Sequence, residues 1–440
     1  MALNVEQVIN EARFNRFHVL LVVLGYLVII VEGYDLMIYG GTLSVLMEEW
    51  AVTPFEAGIL GGLAPCGMAL GALFFGRVAD KVGRKNVLLI SLLLFSVITV
   101  LAGFSTNVVM FGVCRFVSGL GIGGTPVVTY TLMSEYAPAR NKAFVVGSVA
   151  SAFMLGGLLA SLVNMWLTEA IGWHAVYFVA AIPIVILTPI IYRFVPDSPL
   201  TYLKKGREAQ LRAILRKIRP DLQITDDEEL VVNAGNVGKS PVKALFVQHR
   251  ALSTIAIWLL FFICQYITYS MTNWLPKLMI NQGYAYNSGM FFLLILNLGG
   301  WVGTQVASLL ADRFGHRRII SVTLALAAIC FLAMPFAPGT AFQTILIALS
   351  GAGFFSASSL MFAYSSLFYP SDIRSTGGGF ASGFGRLGSV SGPVIMGALM
   401  GMFLPASLYF YLMALPLIVG CVLLALVQER YGDFYGRSAR

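Results

Sequence analysis

Apolar residues run through this chain in long blocks. They fall near 18 to 43, 57 to 79, 87 to 104, 108 to 132, 143 to 166 and 172 to 195, and again near 251 to 275, 288 to 311, 319 to 338, 341 to 366, 376 to 401 and 405 to 428. Each block is close to the roughly 20 residues that a helix needs to cross a hydrocarbon core of about 30 Å, so the pattern predicts twelve transmembrane helices. Barrel strands would alternate in polarity over about ten residues, and these blocks do not. The first block is too long and too interrupted by charge for the apolar core of a signal peptide, so no cleavage is expected.

Between the sixth and seventh blocks the chain turns polar, with KKGREAQLRAILRKIRP followed by DDEE. The expected organisation is a six-helix half over 1–195, a cytoplasmic linker over 196–250, and a second six-helix half with a cytoplasmic tail over 251–440. Within the linker, Leu and Ile recur at helical spacing from Leu203 to Ile218 opposite a basic face. That spacing predicts a short amphipathic helix, lying on the membrane surface or solvated beside it.

The two halves share a phrase. GRVADKVGRK at 76–85 returns as SLLADRFGHRR at 308–318, and Asp80 recurs as Asp312, about half the chain further on. In the first copy Gly76, Asp80, Gly83 and Arg84 follow the pattern GxxxD[KR]xGR[KR]. The second copy keeps Asp312 and Arg313 but has Ser308 in place of the first glycine. The first glycine is expected to let two helices approach, and the aspartate to cap a neighbouring helix N-terminus.

Composition agrees with a membrane protein: 58% of residues are hydrophobic and 11% charged, against about 25% charged in soluble domains. Of the 29 Lys and Arg, all but Lys277, Arg115 and Arg386 fall on one side of the predicted topology. By the positive-inside rule that side is cytoplasmic and holds both termini. The net charge of +8 is then a topology signal, and a nucleic-acid partner loses its support. The lipid bilayer is the expected partner surface, and a monomer the expected state.

Little else points to chemistry. Cys66, Cys114, Cys264, Cys330 and Cys421 are scattered singly, as are His18, His174, His249 and His316. No metal, cofactor or disulfide is expected. Neither a GxSxG elbow nor a GxxxxGK[ST] loop occurs, which disfavours a hydrolase and an ATP-driven pump.

Charge inside the membrane is the remaining signal, because a charged side chain at mid-bilayer costs roughly 2.5 to 3.5 kcal/mol on insertion scales. Glu32 and Asp35, in VEGYDLMIYGG, share one helical face and are candidates for proton handling, or for neutralisation by Arg115 or Arg386. Arg386 lies among Gly383, Gly385, Gly388 and Gly392 and presents the planar fork suited to a carboxylate. For Arg115 a structural or proton-relay role is expected. Asn273 on the seventh helix needs a polar partner, and Tyr34, Tyr39, Tyr266, Tyr269, Trp274 and Phe384 offer ring surfaces.

The two six-helix halves and their repeated loop resemble the major facilitator superfamily, whose halves are related by an axis along the membrane normal. RFVSGLGIGG from Arg115 resembles its helix 4 motif. The resemblance narrows to the aromatic acid:proton symporters. EGYDLMIYGGTLSVLMEEW is similar to that family's helix 1 signature, although Glu32 replaces the usual aspartate of DGxD. SEYAPAR with Glu135, PDSPLTYLKKGR, NWLP at 273–276 and FYPSDIRSTGGGFASGFGRLG also match in order and spacing. The resemblance implies an all-α major facilitator fold, uptake of a benzoate-like carboxylate with protons across a bacterial inner membrane, and no enzyme activity. It also implies a cytoplasmic gate at the repeated loop. The stretch GSVASAFMLGGLLA lacks the proline of antiporter motifs, which favours symport. A proton symporter for a non-aromatic organic acid is the nearest alternative.

Overall fold

The computed structural model describes residues 2–222, 224, 228–232, 242–370 and 372–432; Lys239, Arg437 and Arg440, counted above among the cytoplasmic bases, lie outside the described residues. Long helices follow the apolar blocks: α1 Arg16–Glu49, α2 Pro54–Val82, α3 Arg84–Ala102, α4 Val108–Tyr136, α5 Lys142–Leu167 and α6 Trp173–Phe194. After the linker come α7 Ala251–Asn281, α8 Tyr286–Phe314, α9 His316–Ala333, α10 Thr340–Phe368, α11 Arg374–Met400 and α12 Ala406–Leu426. Among the described residues, 11 of these helices are long and apolar enough to cross a membrane. The exception, α11, is long enough but is diluted by its glycines. The helices α1, α2, α4, α7 and α8 outrun their apolar blocks by a turn or more, because backbone hydrogen bonding continues into polar sequence where the hydrocarbon ends. Pro183 and Pro189 interrupt α6, which carries a π-helical stretch over Pro183–Leu187.

The offset that carries Asp80 to Asp312 governs packing as well as sequence. A Cβ at Gly67 of α2 would strike the Phe116 carbonyl of α4, and one at Gly299 of α8 would strike the Ala348 carbonyl of α10. Gly121 of α4 lies against Ser91 and Phe95 of α3, and Gly353 of α10 against Thr323 and Ala327 of α9. Gly156 of α5 meets Ile30 and Tyr34 of α1, and Gly388 of α11 meets Phe262 and Tyr266 of α7. Each second set is the first moved along the chain by that same offset. With no hydrophobic drive between helices in lipid, close backbone contact at small residues is what holds them together, and the repeat preserves it pair by pair.

By contacts the chain forms two compact units. The first comprises Met1–Leu36, Gly67–Gly156 and His174–Asn236, and the second Met37–Cys66, Gly157–Trp173 and Val237–Arg440. The sequence expectation divides the chain by order at 195 and 251, whereas the contact units cut α1, α2 and α5 across their middles. In the second unit the later half of α1, the earlier half of α2 and the later half of α5 pack with the helices of the second half.

Within the first unit, β1 (Ala2–Asn4) pairs in parallel with β2 (Glu229–Val231). A helix over Val5–Asn10 then lies on the linker helix Glu208–Ile218. Leu211, Leu215 and Ile218 of the linker helix are buried there, and Asn15 Nδ2 donates to the carbonyls of Lys217 (2.9 Å) and Ile218 (3.1 Å). Of the amphipathic helix expected over 203–218, the part Glu208–Ile218 forms, while Leu203 lies in a separate short helix Pro199–Lys204; protein covers the apolar face, so that face is not offered to lipid.

Candidate functional site

Asp35 lies near the middle of α1 and is 1% exposed. The helix can carry it into a packed interior because its neighbour Gly33 takes no room: a Cβ there would collide with the Phe153 carbonyl of α5. Two side chains converge on Asp35 from other helices. Thr99 of α3 donates its hydroxyl to the carboxylate. Arg115 of α4, also buried, donates through Nη1 to the Asp35 carbonyl oxygen at 2.9 Å and to Oδ1 at 3.3 Å. The ion pair takes both charges out of water together, which is the condition under which buried charge is tolerated. Of the partners expected for Asp35, the structure selects Arg115. Thr99 had no signal in the sequence, since threonine is common in membrane helices. Glu32, three residues earlier, is buried as well.

Arg386 is half-buried on α11, and its guanidinium makes no ion pair among the described residues. Gly388 and Gly392, which follow it, pack tightly against the α7 backbone, while a Cβ at Gly383 would meet nothing within 4 Å. The helix thus adheres to α7 on one face and leaves space beside the guanidinium on another. Phe384 lies two residues from Arg386 and therefore points elsewhere; its ring packs against Trp258 (5.9 Å between centroids) and Phe262 (6.2 Å).

The polar tips of several expected ring donors are committed within the protein. The Tyr34 hydroxyl donates to the Val176 carbonyl at 2.5 Å, and that of Tyr39 to the Ala57 carbonyl at 2.6 Å. Trp274 is fully buried and its indole N–H donates to the Pro393 carbonyl at 3.0 Å. Tyr269 is buried, and its carbonyl accepts from Asn273 Nδ2 at 2.7 Å; the Asn273 oxygen has no donor among the described residues.

At the repeated loop the structure redistributes the expected roles. A Cβ at Gly76 would meet nothing within 4 Å, so the close helix approach expected there is not made. Asp80 is exposed, and so are Asp312 and Arg313, whose guanidinium lies over the Phe314 ring at 5.4 Å. The cap on α3 comes instead from Asp197, just after α6: its Oδ1 accepts from the Lys85 N–H at 3.3 Å. Gly83, at φ +103°, lets the chain turn there, and any side chain would collide with Asp197. Arg84 pairs with Glu135 of α4. Asp197 was legible in PDSPLTYLKKGR only as part of a motif, because its contact spans 112 residues of sequence.

Among the described residues no three His, Cys, Asp or Glu side chains lie together in a way that could hold a metal ion. The profile of the Major Facilitator Superfamily matches residues 25–393 and 297–433. The benzoate transport protein of Acinetobacter baylyi is 37% identical over 435 residues, covering 97% of this chain and 93% of its own. The gentisate transporter of Corynebacterium glutamicum is 32% identical over 383 residues, covering 86% and 80%. Among solved structures, the inward open conformation of the xylose transporter XylE from E. coli superposes with a TM-score of 0.73 at 18% identity, covering 92% of this chain and 95% of that one.

Proposed function

The chain belongs to the Major Facilitator Superfamily and is a multi-pass membrane transporter rather than an enzyme, and on that premise we propose that it imports an aromatic carboxylate with protons by alternating access. It works as a monomer in a bacterial inner membrane, with both termini cytoplasmic; the distribution of Lys and Arg supports that orientation.

The observation that carries the reading is the buried Asp35–Arg115–Thr99 cluster. A proton arriving at Asp35 cancels its charge and with it the ion pair, and departure of the proton restores the pair. The helices α1, α3 and α4 therefore have two electrostatic states, and a coupled carrier needs such a bias on its conformational equilibrium. Glu32 is the second carboxylate of the coupling site, and Arg115 serves as its relay and counter-charge.

Arg386 receives the substrate carboxylate, since its charge has no ion-pair partner among the described residues and a guanidinium binds carboxylates bidentately. Benzoate and gentisate, named for the relatives, are both aromatic carboxylates. Tyr269 and Asn273 are substrate-contact residues, and Tyr34, Tyr39 and Trp274 supply ring surfaces held in place by their bonds to helix carbonyls. The loop residues Gly76, Asp80, Gly83, Arg84, Glu135, Asp312 and Arg313 belong to the cytoplasmic gate.

The test is uptake by purified protein in liposomes. An imposed proton gradient, acid outside, should drive accumulation of labelled benzoate or 4-hydroxybenzoate, and a protonophore should collapse it. Aromatic acid uptake indifferent to the gradient would remove the coupling, and preference for a short aliphatic acid would remove the substrate class.

A further inference from the structure

In the second contact unit, the later half of α1 and the earlier half of α2 seal against α7 and α11, and the later half of α5 seals against α8. Gly40 of α1 meets the Thr272 carbonyl of α7, its own counterpart in the repeat. Gly58 meets the Pro393 carbonyl of α11, and Gly397 the Pro54 carbonyl of α2. At the rim, Asn287 Nδ2 donates to Glu169 Oε2 at 2.6 Å and the Tyr286 hydroxyl to the Gly41 carbonyl at 3.2 Å. Backbone packed this closely leaves no room for water.

Several buried polar atoms lack a partner among the described residues, and two of them are the amide oxygens of buried asparagines at this seal. Asn273 is 3% exposed and Asn297, on α8, is fully buried. Each donates Nδ2 to the carbonyl four residues back, Tyr269 at 2.7 Å and Leu293 at 2.9 Å. Those carbonyls fix which end of each amide is nitrogen, because a flipped amide would set oxygen against oxygen. The two amide oxygens then have no donor among the described residues. Each faces a glycine of the first half: a Cβ at Gly61 would lie 3.3 Å from the Asn273 oxygen, and one at Gly157 would lie 2.5 Å from that of Asn297. Asn164, at the same seal, differs, since Thr168 donates to its oxygen at 3.3 Å and Tyr286 at 3.4 Å.

A buried acceptor without a donor costs the full desolvation of that group, and native structures hold few of them without a reason. We infer that Asn297 and Asn273 are gating residues of the transport cycle. Closing the seal strips both oxygens of water and gives them no partner; opening it hydrates them. The pair loads the closed face against the open one, so the carrier is held ready to reopen. This rests on the topology proposed above, in which this face is the outer one.

The experiment is a population measurement on the full chain in nanodiscs. Spin labels are placed at Glu48→Cys and Asn281→Cys, exposed positions at the ends of α1 and α7, in a background without native cysteines. Asn297→Leu and Asn273→Leu keep the side-chain shape and remove the amide. Each should raise the ratio of short to long distances about tenfold or more, where each tenfold corresponds to about 1.4 kcal/mol. Gly157→Ala, which drives a methyl into the Asn297 amide and the Met37 sulfur, should shift the ratio the other way. Opposite signs separate gating from a packing defect, which would move every variant alike. An unchanged or falling ratio in both leucine variants overturns the proposal. A membrane-impermeant reductant added to sided vesicles tests the topology separately: quenching from the cytoplasmic side alone would refute the orientation and leave the gating result standing.

Discussion

Lys85 and Arg317 hold the same place in the two halves of the chain. Lys85 donates through Nζ to the Tyr192 carbonyl at 2.6 Å, near the end of α6, and Arg317 through Nη2 to the Ala425 carbonyl at 2.9 Å, near the end of α12. The last carbonyls of a helix are unpaired and carry the negative end of its dipole, so a cation is stabilising at either place. Acids complete both arrangements, and they too are repeat counterparts. Asp197 caps Lys85, and Glu429 lies 3.8 Å from Arg317 while accepting the Tyr364 hydroxyl at 3.2 Å. Each clasp ties the start of a third helix to the end of a sixth.

Asp197 therefore caps the start of α3, and the exposed Asp80 does not. Asp197→Ala should lower stability by about 1–2 kcal/mol, the usual cost of a lost helix cap, and shift thermal unfolding in detergent downward. Asp80→Asn, at an exposed position, should leave unfolding within about 0.5 kcal/mol of the parent and slow transport instead. Equal destabilisation by the two would place the structural role back on Asp80.

Packing at the repeat makes a paired prediction. Gly156→Ala and Gly388→Ala each force a methyl against backbone, and each should cost about 1–3 kcal/mol. Gly76→Ala and Gly383→Ala meet open space and should be neutral or slightly stabilising. Thermal unfolding of the four single variants decides it, and a large loss at Gly76 would contradict the geometry.

The fold was readable because bilayer thickness forces helix length, and length is visible as apolar blocks. The repeated loop pointed to two halves, yet the same offset in Gly67 and Gly299, or in Asp197 and Glu429, emerges only once contacts are known. Charge inside the apolar blocks gave Asp35, Arg115 and Arg386, because such charge is rare enough to stand out. Thr99, Asn164 and Asn297 stayed hidden: their residue types are unremarkable in membrane helices, and their partners are set by tertiary contact. The ring donors went the other way, since sequence marks a tyrosine but cannot say that its hydroxyl is already spent on a helix carbonyl.

Asp35→Asn keeps the shape of the cluster and removes its charge. The Arg115 contact to the Asp35 carbonyl at 2.9 Å survives, so the variant should fold and bind substrate. Concentrative uptake should be lost, because an amide cannot carry the coupled proton, while exchange of substrate across the membrane persists. The check is the steady-state accumulation ratio in liposomes beside the counterflow rate. A parental ratio in the variant would exclude Asp35 from coupling.

Arg386 is the sharpest test of the substrate class. In a dehydrated site a bidentate contact should contribute at least the roughly 1.5–3 kcal/mol of a hydrogen bond to a charged group. Arg386→Lys keeps the charge but loses the fork, so aromatic acid binding should weaken about tenfold for each 1.4 kcal/mol lost. The decisive comparison sets benzoate against benzamide, in the parent and in Arg386→Ala. A carboxylate clamp predicts that the parent strongly prefers the acid and that the alanine variant scarcely distinguishes the two. The distances separate Arg386 from Arg115, which already holds Asp35 at 2.9 and 3.3 Å and has less to offer a ligand. Undiminished preference for the acid in Arg386→Ala would move the clamp to another cation, and Arg115→Lys would then be the next variant to measure.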